Sequence, residues 1–177
     1  MEQIGFKYQD GDILLLRVNN FRTWYRRLFA ALICFFDGVY YHHAQIYFGC
    51  FVYEADTEVT SKTILFNKGD EIMVFRPIIP LTQDEVNHLG YLLKLEYGRK
   101  YDYVGAIFHQ LIYILTLRKI WIGKRGNSAS KKPYCTELIA GIYKELRGYF
   151  PQPYLTSPSV LQKQAPNYFK VVTIIQP

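Results

Sequence analysis

The spacing of the apolar residues changes half-way along this chain, and this change most constrains the fold. In the first half, apolar residues come in short runs bounded by turn residues, which is typical of β-strands. The run from Ile13 to Val18 follows Asp10-Gly11-Asp12 and indicates a buried strand. Further strand-like segments cover 44–48, 51–55, 63–66 and 71–76, and Gly49-Cys50 between the first two fits a hairpin turn. We therefore expect an antiparallel sheet.

Helical spacing dominates the second half. Thr82 and Glu85 have the spacing of a capping box, and a glycine or proline marks several predicted helix ends. The predicted helices run from Phe21 to Leu32, from Thr82 to a stop at Gly98, from Asp102 to about Trp121, and from Pro133 to Gly148, before a last strand-like run from Phe169 to Ile175. No internal repeat or linker divides the chain, so we predict a single α+β domain over residues 1–177.

The charge balance bears on the partners. The chain has 21 Lys and Arg against 15 Asp and Glu, a net charge of +6. This excess is modest for a nucleic-acid-binding domain, and the sequence has no helix-turn-helix, RNP-like or zinc motif. Nucleic acid is therefore not an expected partner. The basic residues at 22, 26, 27, 124, 125, 131 and 132 would also suit an anionic membrane surface, which leaves peripheral membrane contact open.

The apolar runs are too short to cross a bilayer, which needs about 20 apolar residues. The longest cover 28–36 and 104–117, and His109 and Gln110 interrupt the second. The polar and acidic N-terminal residues do not resemble a secretory signal. We expect a cytoplasmic protein with reduced thiols that makes peripheral membrane contact at most.

The three cysteines cannot all pair, and they form no CxxC motif. Cys135 is predicted to lie in the first turn of a helix, where the helix dipole and unpaired N–H groups favour a thiolate. Cys135 is therefore a candidate nucleophile, although a small apolar residue on the buried helix face is an equally good interpretation. Cys34 falls inside an apolar helix and Cys50 at a turn, where a structural role is the better interpretation.

A cysteine nucleophile needs a base, normally histidine, and a third polar group that orients the imidazole. His42 and His43 open the first hairpin strand, so their side chains point to opposite faces and one of them at most can meet Cys135. The alternation that follows does not decide between them. His88 and His109 are better explained as helix residues. Glu54 lies on the partner strand and reaches a histidine only if the strand register allows it.

A metal site is the less favoured alternative. His42, His43 and Glu54 are zinc-type ligands, but adjacent strand histidines diverge and no fourth ligand follows at the usual spacing. We predict no metal and no cofactor.

Five motifs resemble those of the circularly permuted NlpC-type papain-like cysteine hydrolases, the YiiX/YaeF-like group. They are Asp10-Gly11-Asp12-Ile13, His43-Ala44-Gln45-Ile46-Tyr47-Phe48-Gly49, Val52-Tyr53-Glu54-Ala55, Tyr97-Gly98-Arg99-Lys100-Tyr101-Asp102-Tyr103 and Tyr134-Cys135-Thr136-Glu137-Leu138-Ile139. They occur in the family's order, with the histidine strand before the cysteine helix, and Ser157-Pro158-Ser159 resembles the family's C-terminal segment. The resemblance covers residues 9–161 and implies a papain-like fold with an antiparallel sheet or barrel packed against helices.

The resemblance also implies the roles of individual residues. It makes Cys135 the nucleophile, His43 the general base and Glu54 the residue that orients His43. We expect Tyr47, Tyr134 and Asp12, which lie in these motifs, to contact the substrate.

The expected activity is that of a thiol hydrolase acting on an amide or ester through an acyl-enzyme. The family resemblance leaves the substrate open between a small cell-wall-type peptide and a lipid-like acyl compound. The apolar and basic segment 107–132 is either a lid over the cleft, a membrane contact, or a core helix followed by a solvated loop. A binding domain without catalytic activity is the alternative function.

Overall fold

The computed structural model describes residues 6–17, 28, 30–31, 34–35, 38–55, 58–63, 69–100, 135–153 and 156–175. Within these ranges the strands are β1 Ile13–Arg17, β2 His43–Phe48, β3 Phe51–Ala55, β4 Val59–Thr63, β5 Glu71–Pro77 and β6 Phe169–Ile175. The helices are α1 Gln83–Glu96, α2 Cys135–Arg147 and α3 Pro158–Gln164, with a 3-10 turn at Ala165–Asn167. The structure thus confirms the predicted α+β class.

The six strands form one antiparallel sheet in the order β4-β3-β2-β1-β5-β6. β1 lies inside the sheet, and Ile13 is opposite Ile46 on one side and Phe75 on the other. The residues from Ile13 to Leu16 are all buried, which explains why this strand is a continuous apolar run without alternation.

Each face of the sheet carries its own apolar cluster. Ile13 and Leu15 point to one face, where they pack with Leu138 and Ile139 of α2 and with residues of α1. Leu14 and the other members of the second cluster cover the opposite face, together with Phe6, Tyr8 and Tyr47. Both faces of β1 are therefore protected from water, and α2 is anchored on one of them.

The hairpin between β2 and β3 turns at Gly49 and Cys50, whose φ angles are 55° and 70°. Positive φ at both central residues is what a two-residue hairpin loop of type I′ requires, so the predicted turn is confirmed.

The strand predicted at 63–66 begins earlier than expected, since β4 is described over Val59–Thr63. Residues 64–68 are outside the described ranges. β4 is an edge strand that pairs with β3 through Ala55 and Val59, and Val59 is its buried residue. Edge strands commonly carry polar and charged residues, so the first residues of β4 gave no apolar signal in the sequence.

The two helices predicted from capping and stop signals are confirmed where they are described. The Thr82 side chain accepts a hydrogen bond from Glu85 N, and the Glu85 side chain accepts one from the backbone N–H of Thr82. At the other end of α1, Gly98 follows the helix with φ 77°. α2 is described from Cys135 onward and buries the predicted apolar face, and Gly148 follows it with φ 69°. Residues 28, 30, 31, 34 and 35 are helical. The predicted helix over 102–121 lies outside the described residues.

None of the helices in the described part of the chain combines the length and apolar content needed to cross a membrane.

Candidate active site

His43 and Glu54 come together across the β2–β3 hairpin. Ile46 is opposite Tyr53, and this register places Glu54 on the next strand within reach of the start of β2. His43 Nε2 lies 2.7 Å from Glu54 Oε2. The strand register therefore allows Glu54 to reach a histidine of β2, as its predicted orienting role requires.

Among the described residues, three side chains contact the Glu54 carboxylate. Besides the His43 contact, Gln45 Nε2 donates to Oε2 at 2.5 Å, and Lys62 Nζ lies 2.6 Å from Oε1. The Glu54 side chain is only 8% exposed. Burial by itself raises the pKa of this carboxyl, but the hydrogen bond and charge of His43 and the charge of Lys62 outweigh it and lower the pKa. Glu54 is therefore ionised at neutral pH.

Cys135 is the first described residue of α2 and is 6% exposed. Its side chain is hydrogen-bonded to His43. Because Glu54 binds Nε2 of the imidazole, Nδ1 is the ring nitrogen left for the sulfur. The imidazole thus lies between a sulfur and a carboxylate.

This environment strongly favours the imidazolium form of His43. Burial lowers the pKa of His43, but hydrogen bonds to Cys135 and Glu54 and the negative charges of both groups outweigh it and raise the pKa to about 10. Since the charge of Cys135 is one of these causes, the imidazolium is favoured most when the sulfur is negatively charged.

His42 has a different environment, although it is the neighbouring residue. It is buried, and its Nδ1 lies 3.7 Å from Cys34 Sγ. Burial, together with the charges of His43 and Arg17, lowers the pKa of His42 to about 4. The structure therefore brings His43, and not His42, together with Cys135 and Glu54.

Asp12 lies near the other end of the sheet. Its backbone oxygen accepts from Tyr47 N, whereas His43 is opposite Leu16, four residues further along the chain, or roughly 13 Å. The Asp12 carboxylate is fully buried, with Arg76 Nε 2.8 Å from Oδ1 and an Arg76 terminal nitrogen 2.7 Å from Oδ2. Its visible role is structural, and contact with substrate stays a prediction.

Tyr47 stacks on Tyr8 with ring centroids 5.4 Å apart and lines a cavity of about 460 Å³. Among the described residues, the lining also includes Lys7, Cys50 and Arg76 but neither His43 nor Cys135. A substrate contact of Tyr47 therefore requires a ligand that extends along the sheet from His43. Tyr134 lies outside the described residues.

Sequence reasoning missed Gln45, Lys62 and Thr136 as parts of the site. Gln45 follows His43 by two residues in the same strand, so alternation was a usable signal that both share a face. Lys62 gave no signal because β4 was predicted further along the chain. Thr136 Oγ1 donates to Thr156 O at 2.5 Å and fixes the start of α2, a contact that no local pattern reveals.

Comparison with known proteins identifies the fold. A scan against protein-family models finds no match, and neither does a search of curated proteins. Among solved structures, the chain matches one described as the metalloprotein yiiX from Escherichia coli O157:H7, DUF1105, with a TM-score of 0.60. The match covers 97% of this chain and 100% of that one at 15% identity. This chain has a YiiX-like fold. At this identity the likeness concerns the fold alone, so the NlpC-type and circularly permuted character stays a prediction.

The yiiX structure is described as that of a metalloprotein, which raises the question of a metal site here. Within the described ranges, no group of three or more His, Cys, Asp and Glu is gathered so that it could hold a metal ion. His43 and Glu54, which were considered as metal ligands, are instead hydrogen-bonded to each other. The described residues of this YiiX-like fold therefore do not fit a metal centre.

Proposed function

We propose that this protein is a thiol-dependent hydrolase that cleaves an amide or ester through an acyl-enzyme on Cys135. The observation that carries the proposal is the position of His43, hydrogen-bonded to Cys135 and 2.7 Å from Glu54. A catalytic triad consists of a nucleophile that contacts a base, and a carboxylate that orients the base. Cys135, His43 and Glu54 have these contacts in this order.

The chemical steps use these three residues. The Cys135 thiolate attacks the carbonyl carbon, forming a C–S bond, and the negative charge moves to the carbonyl oxygen. The first N–H groups of α2 have no partner inside the helix and are suitable donors to this oxyanion. As the C–N or C–O bond to the leaving group breaks, the His43 imidazolium gives its proton to that group.

Hydrolysis of the acyl-enzyme completes the cycle. Neutral His43 removes a proton from water, which attacks the acyl carbon, and the C–S bond breaks to regenerate the thiolate and the imidazolium. Glu54 keeps Nε2 of His43 engaged in both steps, so that Nδ1 stays directed at the reacting atoms.

The substrate proposed is a small cell-wall-type peptide or a lipid-like acyl compound. We place the enzyme in the cytoplasm with a peripheral contact to anionic membranes. Two observations support the membrane contact: Leu28 and Phe35 are 51% and 73% exposed, and the chain carries a net charge of +6. Liposome co-sedimentation at low salt tests it, and failure to sediment with anionic vesicles would contradict it.

A substrate screen with matched cysteine variants tests the hydrolase proposal. Acyl-amides, acyl-esters and short peptides containing D-amino acids are incubated with the wild type, Cys135→Ala, His43→Ala and the control Cys50→Ala. We expect turnover that Cys135→Ala and His43→Ala abolish and that Cys50→Ala and EDTA leave intact. Turnover that survives Cys135→Ala would contradict the proposal, and saturable ligand binding without turnover would favour the binding domain.

A further inference from the structure

We infer that Lys62 is a positioning residue of the Cys135, His43 and Glu54 group, acting through the Glu54 carboxylate. The inference rests on the proposed function and extends it to a fourth residue. Lys62 lies on the edge strand β4, and its side chain is 49% exposed, whereas that of Glu54 is 8% exposed. Lys62 thus reaches from the surface to a buried carboxylate.

The hydrogen bonds divide the two oxygens of Glu54 between different partners. Oε2 accepts from Gln45 Nε2 at 2.5 Å and lies 2.7 Å from His43 Nε2. In the part of the chain that the structure describes, Lys62 is the partner of Oε1, at 2.6 Å. Lys62 therefore opposes rotation of the carboxylate, which would exchange the two oxygens and break the contact between Oε2 and His43.

The four charges alternate along the chain of contacts. In the ion-pair state Cys135 is negative, His43 positive, Glu54 negative and Lys62 positive, so each charge has an opposite neighbour. The charge of Lys62 is one of the causes that lower the pKa of Glu54. It thus helps to keep Glu54 ionised while His43 gives up and regains its proton.

The placement of Lys62 separates this role from a general contribution to stability. Lys62 is half exposed, and it lies on an edge strand of the sheet. Removing its charge should leave the fold intact and change the orientation of Glu54.

The test uses Lys62→Met, Lys62→Arg and the control Lys170→Met, which removes an exposed lysine from the opposite edge strand, β6. The first readout is the NMR signal of the His43 Nε2 proton, because a fixed hydrogen bond to Glu54 moves this proton downfield and slows its exchange with water. The second is the rate at which iodoacetamide alkylates Cys135 at neutral pH. Neither readout needs a substrate.

We expect Lys62→Met to shift the His43 Nε2 proton upfield, to speed its exchange, and to slow alkylation of Cys135 by about fivefold, the effect of losing one ion pair on the solvent side. Lys62→Arg should restore both signals, and Lys170→Met should match the wild type. High salt should reproduce part of the effect in the wild type. Lys62→Gln provides a second charge-removing variant if Lys62→Met unfolds.

The inference is overturned if the variants without charge at position 62 keep the wild-type proton signal and alkylation rate. It is also overturned if their signals change only in proportion to a loss of unfolding free energy. Once a substrate is identified, a lowered kcat with unchanged KM in Lys62→Met is expected, and a change confined to KM would contradict positioning. If no substrate is turned over, the proposed function fails, while the proton and alkylation measurements still decide the role of Lys62.

Discussion

His42 and His43 are adjacent in the chain, but the pKa of His42 is lowered to about 4 and that of His43 is raised to about 10. Burial is the largest single influence on both and lowers both pKa values, but at His43 the hydrogen bonds to Cys135 and Glu54 and the charges of both groups outweigh it. We therefore expect each histidine to make stability depend on pH in its own way.

Replacing Glu54 with Gln should lower the pKa of His43. The amide keeps the shape of the side chain but removes the negative charge, and an opposite charge at this distance is worth about one pKa unit or more. NMR titration of the His43 ring protons, assigned with His43→Gln, measures the midpoint. An unchanged midpoint in Glu54→Gln would show that Glu54 does not stabilise the imidazolium.

The raised pKa of His43 also predicts a loss of stability in alkali. Its folded pKa of about 10 lies above its ordinary value of 6.5, so the stabilisation is complete below pH 6.5 and is lost as the pH rises through about 10. Urea unfolding across this range should show a decline that His43→Gln weakens. An equally steep decline in that variant would assign the effect to other groups.

His42 should instead cause a loss of stability in acid. Its folded pKa of about 4 lies below 6.5, so the unfolded chain binds more protons and stability is lost as the pH falls from 6.5 to 4. His42→Phe removes the titrating group and should flatten the stability curve between these values. A curve of unchanged slope in His42→Phe would be evidence against this role.

Arg147 should stabilise the packing of α2 against the start of α1. Its guanidinium donates to both oxygens of Glu85, at 2.7 Å each, and to the carbonyl oxygens of Ile79 and Pro80. Arg147→Lys keeps the charge but cannot form the two parallel bonds, and we expect it to lower the free energy of unfolding by about 1 to 2 kcal/mol.

The pH dependence of the Arg147 effect distinguishes this ion pair from simple packing. The hydrogen bond from Arg147 is the largest of the causes that lower the pKa of Glu85 to about 2, so the stabilisation is present above pH 4.5 and is lost as the pH falls through about 2. The difference between the wild type and Arg147→Lys in urea unfolding should shrink over this range. A difference that stays constant would point to lost packing.

Gly11→Ala should be more destabilising than Gly69→Ala, although both glycines have similar φ angles of 88° and 92°. A Cβ at position 11 would lie 2.7 Å from Leu81 Cδ1 and 2.8 Å from the Tyr143 hydroxyl, which donates to Gly11 O. A Cβ at position 69 would meet nothing within 4 Å. Backbone strain is therefore common to both variants.

We expect Gly69→Ala to cost about 1 kcal/mol from strain alone and Gly11→Ala to cost about 1 to 3 kcal/mol more from overpacking. Thermal or urea unfolding of the two variants measures the difference. Equal losses would mean that Leu81 and Tyr143 give way at no cost.

Sequence patterns predicted those parts of the fold that depend on local physics. The Thr82 capping box, the Gly49-Cys50 turn and the placing of Cys135 in a helix follow from caps, φ preferences and apolar spacing, which act within a few residues. The start of β4 was predicted at Thr63 and lies at Val59, because the residues that begin this edge strand are placed by pairing with β3 and not by apolar content of their own.

The candidate site was predicted only in part, for a related reason. The position of Cys135 at a helix start was visible in the sequence, while the choice of His43 over His42 came from a family resemblance. The sequence by itself thus determined the strands other than β4, the capped helices and the list of reactive side chains. Only the tertiary structure decided which of them meet, because the contacts of His43, Glu54 and Lys62 depend on the register of three strands, and that of Cys135 on how α2 packs against them.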